Sequence, residues 1–356
     1  MKTLKKLKEF ALRKDIVISA KRYGIDALSA MAQGLFASLL IGTIINTVGT
    51  QFNLPILNEI GGYASQVKGA AMAIAIALAL KAPPLVLFSL AAVGLAADTL
   101  GGAGGPLAVF FIAVVATEIG KLVSKETKID IIVTPLVTIV AGVLLSMLTA
   151  PYIGAAASSV GNAIMWATDL QPFWMGIIVS VLVGIALTLP ISSAAICAAF
   201  GLTGLAGGAA VAGCCAQMVG FAVMSFRENR WGGLLSQGIG TSMLQMSNIL
   251  KNPKIWIPPI LTSAITGPLA TCLFGLKMNG AAVSSGMGTC GFVGQIGVYS
   301  GWISDIEAGL KTAITAWDWI GLVLICFVLP AVLTWLFGLW FRKMGWIKEN
   351  DLKLDV

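Results

Sequence analysis

From residue 25 to residue 341 the chain returns repeatedly to apolar runs close to the ~20 residues needed to cross a hydrocarbon core, each closed by charge, proline or glycine. The runs lie at 25–48, 65–81, 84–100, 106–122, 130–150, 172–190, 191–203, 205–225, 256–276 and 315–341, which predicts ten transmembrane segments. Only 11% of the residues are charged, too few to cover a water-facing surface, where about 25% is usual. A transmembrane β-barrel would show short alternating segments instead of long unbroken runs. The predicted class is an all-α polytopic membrane protein, its 41 glycines serving close helix–helix approach.

The net charge of +7 does not indicate nucleic acid. Lys and Arg cluster briefly between apolar runs, where the positive-inside rule expects them. With both termini on the cytoplasmic side, every Lys and Arg except Lys68, Lys277 and Lys311 falls inside. Residues 1–24 read as a basic interfacial helix without the apolar core and cleavage site of a signal peptide. Residues 25–64 hold the first span and a polar link, 315–341 the last span, and 342–356 a charged cytoplasmic tail. The six cysteines show no metal spacing and read as small hydrophobes. The chain has no histidine, which removes His-based metal sites, Ser-His-Asp and Cys-His catalysis, and a phosphohistidine carried on this chain. No cofactor is expected.

The stretch GAAASSVG at 154–161 returns as GAAVSSGM at 280–287, with five of eight positions identical. Upstream, Pro135-Leu-Val-Thr138 aligns with Pro259-Ile-Leu-Thr262, Gly104-Gly105 with Gly207-Gly208, and Pro83 with Pro190. One insertion, over 231–254, keeps these landmarks in register. Residues 65–161 and 172–288 therefore read as two copies of one unit, each ending in a GAAxSS loop. Duplicated halves mark secondary transporters, and short Gly/Pro-interrupted segments at matching positions point to their solute sites. Here those segments are 84–100 and 191–203, read as broken helices whose free backbone groups need protein or a water-filled cavity around them. If both cross, the repeats are parallel; if both are re-entrant, they are inverted. The charge split favours the parallel arrangement, since the inverted one puts KLVSKETK outside.

Asp98 and Glu118 are carboxylates at membrane depth, and such groups mark functional sites unless paired. Asp98 is a candidate for solute hydroxyls or a coupling proton, with a helix cap as the plain alternative. For Glu118 the alternative is an ion pair with Lys121. The second copy has no matching carboxylate and offers Ser192, Ser193, Thr203 and Gln217, whose hydroxyls and amide suit a neutral polar solute. Ser158 and Ser159 in one loop, with Asn279, Ser284 and Ser285 at the other, either cap the pocket or serve tight helix crossings. Within the polar insert 231–254, Gln245 and Asn248 belong to a row read as an inner gate.

The run QGIGTSMLQMSNILKNPKIWIPP, with the glycine-rich turns and the ten-span layout, resembles the EIIC-like membrane permeases of the sugar phosphotransferase system, in the perfringolysin-regulator-like branch. The resemblance covers most of the chain and is most specific over 236–259. It implies a bacterial inner-membrane permease, a homodimer, and separate EIIB and EIIA proteins for any phosphoryl transfer. It also implies a glutamate near the sugar, for which Glu118 is the nearest candidate.

The expected function is transport of a small polar solute, such as a sugar, polyol or sugar acid, by alternating access. The alternative is a membrane-embedded sensor that binds a similar solute and regulates gene expression. No nucleophile–base spacing points to an enzyme.

Overall fold

The computed structural model describes residues 9–354. Among them every regular element is a helix, and the one extended pairing is an antiparallel bridge between Gly204 and Met278. In chain order the first elements are α1 (Lys21–Gln51), α2 (Pro55–Gln66), α3 (Lys68–Ala79), α4 (Pro84–Gly101), α5 (Gly105–Val123) and α6 (Asp130–Thr168). Then come α7 (Pro172–Thr188), α8 (Ser193–Ala199), α9 (Gly204–Met224), α10 (Phe226–Leu235) and α11 (Met246–Lys251). The chain closes with α12 (Ile257–Pro268), α13 (Val293–Glu307) and α14 (Ala316–Lys343).

Six helical stretches among the described residues are long and apolar enough to cross a membrane, fewer than the ten spans expected. They are α1, Pro84–Val123, α6, α9, Pro253–Leu273 and α14. The difference has identifiable sources. Two expected spans are the arms of Pro84–Val123, whose 40 residues would reach about 60 Å as one straight helix. Gly102 turns the chain instead, at φ 51° and ψ −119°, a region that side chains disfavour. From this turn α5 packs back along α4. The expected spans at 65–81 and 172–190 form the shorter helices α3 and α7, and 191–203 holds only the seven-residue α8.

A further correction concerns the repeated motif. The expected span 130–150 does not stop at Pro151, because α6 continues through it to Thr168. Proline at that position removes one helical hydrogen bond, and α6 nevertheless runs on through it. GAAASSVG is therefore helical, whereas GAAVSSGM contains a tight turn over Ala282–Gly286. The two stretches share sequence but not conformation. At the N-terminus, residues 1–8 of the expected basic helix lie outside the described residues. Residues 9–13 are helical, and the helix ends before Asp15, at φ 55°.

The chain divides into two compact units. The first combines residues through 39 with 63–155. In it α3 crosses α4 where Gly69 faces Gly94, and a Cβ on Gly69 would stand 2.6 Å from the Cβ of Asp98. The second unit combines 40–62 with the chain from 156 onward. Its centre is α9, almost wholly enclosed by α7, α12 and α14, as an all-round apolar helix requires. Val211, Ala212 and Cys215 of α9 join Val298 and Trp302 of α13 and Ile325 and Cys326 of α14 in one buried core.

Candidate solute-binding site

The last third of α1, Ile41–Gln51, is apolar except along one stripe. Thr43, Asn46, Thr47 and Thr50 recur at i, i+3, i+4 and i+7, the spacing of a single helical face. In the second unit this face lines a cleft of about 400 Å³, with Ser284 from the Ala282–Gly286 turn and Ser300 from α13 on the other side. That volume lies in the range of small-molecule sites.

Local chemistry holds the walls in place. Gly297 of α13 leaves room for Ser284, since a Cβ there would sit 2.6 Å from the serine's Cβ. Asn279 donates to both carboxylate oxygens of Asp305 at 2.9 Å, fixing the chain ahead of the turn onto the end of α13. Gly291, at φ 51°, brings the start of α13 beside Ile44 and Thr47. Thr47 donates to the Thr43 carbonyl at 2.8 Å and Thr50 to Asn58 Oδ1 at 3.3 Å. Asn46 Oδ1 is buried against Gly61 of α2 without a hydrogen-bond partner among the described residues. The cleft is lined by hydroxyls, amides and apolar groups and by no acid or base. Chemically it can exchange hydrogen bonds with an uncharged polar solute.

The structure brings several expected site residues to this neighbourhood. Ser193 donates to Gly286 O at 2.7 Å and Ser285 to Leu202 O at 2.6 Å, joining the short segment around α8 to the GAAVSSGM turn. The Gly204–Met278 bridge sets Thr203 and Asn279 on adjoining chains. Ser192 caps α8 by accepting from Ala195 N at 3.2 Å. Of these residues, Ser284 alone lines the cleft.

Other candidates are engaged elsewhere. Gln217 is fully buried; its Oε1 accepts from Trp256 Nε1 at 2.9 Å and Thr188 at 3.3 Å, and Nε2 donates to Ser263 at 3.5 Å. Gln245 and Asn248, read as a gate, donate to the carbonyls of Leu352 and Lys353. Ser158 and Ser159 lie within helical α6.

The two carboxylates belong to the first unit. Asp98 is 8% exposed and pairs with Lys68 at 3.4 Å, while its Oδ1 has no hydrogen-bond partner among the described residues. Glu118 accepts from Tyr23 Oη at 3.0 Å and pairs with Lys121 at 3.1 Å. Lys121, only 2% exposed, also donates to the carbonyls of Asp15 at 2.8 Å and Leu80 at 3.0 Å. Arg22 joins the same knot through Asp15 at 2.5 Å and Leu80 O at 2.7 Å. Its guanidinium holds the Asp15 carboxyl below the usual aspartate range by hydrogen bonding. The lysine–glutamate pairing weighed for Glu118 is thus present. Among the described residues no group of three or more His, Cys, Asp or Glu could hold a metal ion.

The polar stripe on α1 was absent from the sequence-based candidates. Its signal was available as four polar residues at helical spacing within one apolar run.

Compared with models of protein families, residues 25–354 match the one described as "Phosphotransferase system, EIIC". No curated protein and no solved structure matched the chain.

Proposed function

The chain belongs to the phosphotransferase-system EIIC family, and from that membership we propose that it is a sugar permease whose solute binds in the cleft between α1 and α13. The observation that carries the site is the stripe Thr43, Asn46, Thr47 and Thr50 opposite Ser284 and Ser300. A sugar presents several hydroxyls that both donate and accept, and this surface supplies matching groups without a charge. Membership supports sugar as the solute class and an EIIB component as phosphoryl donor. The proposal extends to passage by alternating access, a homodimer, and termini on the cytoplasmic face, as the charge asymmetry favours.

The test is a panel of sugars and polyols offered to the protein in proteoliposomes, with uptake and equilibrium binding both read. Wild type should bind at least one sugar. Thr47→Val and Ser300→Ala should each weaken that binding about three- to tenfold, the value of one hydrogen bond. Binding unaffected by both substitutions would remove the solute from this cleft. Binding without uptake would turn the reading toward a sensor.

A further inference from the structure

The second unit carries another site, unrelated to the sugar cleft. Where α9 and α14 end, two cavities share Arg227 and Arg342 as a common wall. One, of about 270 Å³, is apolar and runs between the helices past Val223, Phe226, Trp335 and Leu339. The other, of about 600 Å³, is a polar basin that adds Arg230 and Lys353, with Glu228 and Glu349 as its only acids. Arg342 is committed to Glu228 at 2.8 Å. Arg227 and Arg230 are exposed and make no ion pair among the described residues. The basin thus keeps excess positive charge directly above an apolar slot.

Two features place this pair of cavities at a membrane surface. Trp231 and Trp335 flank it with exposures of 68% and 48%, and tryptophan concentrates at the lipid headgroup level. Both α9 and α14 are apolar enough to cross the bilayer, and the basin begins where their apolar sequence stops. Arg230 also leaves the helical conformation, at φ 51° and ψ −149°, which seldom suits a side chain and here breaks α10 beside the basin.

We propose that this is a binding site for one anionic phospholipid, with its headgroup phosphate among Arg227, Arg230 and Lys353 and an acyl chain in the slot between α9 and α14. Charge complementarity sets the headgroup class, since a basic pocket at the ends of membrane helices attracts acidic lipids. The adjoining apolar slot distinguishes a lipid from a soluble anion. Nothing in the site depends on which solute the protein carries.

The full chain in detergent would be titrated with phosphatidylglycerol, phosphatidylcholine or inorganic phosphate, and bound lipid counted by native mass spectrometry. Phosphatidylglycerol should be retained at least fivefold better than phosphatidylcholine, about the effect of one basic residue near a headgroup. The pair Arg227→Gln and Arg230→Gln should abolish that preference while leaving sugar binding unchanged. Lys353→Gln lies outside the helices and should reduce it without endangering the fold. Equal retention of the two lipids by wild type overturns the proposal. So does a preference that survives all three substitutions. If inorganic phosphate displaces the lipid at matched concentration, the slot contributes nothing and the site belongs to a soluble anion.

Discussion

Asn248 Nδ2 lies 2.8 Å from the main-chain carbonyl of Lys353, tying the polar insert to the C-terminal tail. Gln245 accepts from Asn248 at 2.9 Å and donates to Leu352 O at 3.0 Å. Asn229 donates to Leu352 O and accepts from Leu354 N, both at 2.8 Å, and Asn252 reaches Trp346 O and Asp351. Carboxamides match peptide groups donor for acceptor, so a row of them can hold an irregular strand of chain. The residues read as a gate serve as this clasp, and Leu352 is wholly buried beneath it.

Asn248→Ala should therefore free the tail and lower stability by about 1–3 kcal/mol, the cost of stranding buried polar partners. Limited trypsin digestion checks it directly. Wild type should resist cleavage after Lys353, and the variant should be clipped there. Equal resistance would show that the clasp does not hold the tail.

Removing Lys121 should be among the most damaging single changes. Lys121→Met leaves the partly buried Glu118 without its cation and the Asp15 and Leu80 carbonyls without their donor, at a cost approaching the about 3–5 kcal/mol of a fully buried pair. Adding Glu118→Gln to that variant should restore part of the stability. Thermal melts of the two single variants and the double variant form the required cycle. Strict additivity would mean the two side chains are not coupled.

The Asp15–Arg22 pair makes a pH prediction. Its cause is the Arg22 hydrogen bond, which lowers the carboxyl's folded pKa below the ordinary value of about 3.9. A depressed folded pKa adds stability at pH above the unfolded value, and this is lost as pH falls through the folded one. Melting curves of wild type and Asp15→Asn should differ at pH 6 and converge below about pH 4. The Asp15 side chain is 46% exposed, so solvent keeps the difference small. A gap that does not narrow at all as pH falls below about 4 would rule out the ion pair as its source.

Gln217 separates a structural role from solute binding. The network with Trp256, Thr188 and Ser263 predicts that Gln217→Leu lowers the melting temperature, at about 1–3 kcal/mol for the unpaired partners. Sugar affinity per folded molecule should stay constant. Unchanged melting with weakened sugar binding would move Gln217 into the solute site.

Local sequence determined the class of this protein on its own. Long apolar runs force helices, because hydrocarbon offers a bare peptide group no hydrogen bond. The break between the runs 84–100 and 106–122 was likewise legible, although its geometry at Gly102 was not. Sequence also showed which residues are polar within those runs or between them, Thr47 and Gln217 in the first case and Asn248 and Ser284 in the second. It did not distinguish a polar group facing a cavity from one already satisfied by another. That choice depends on partners far along the chain: Lys121 meets the Asp15 carbonyl, and Asn248 meets Lys353. Periodicity reports a residue's place on its own helix. Only the packing of helices decides what that face meets, because a hydrogen bond forms within about 3 Å whatever the distance in sequence.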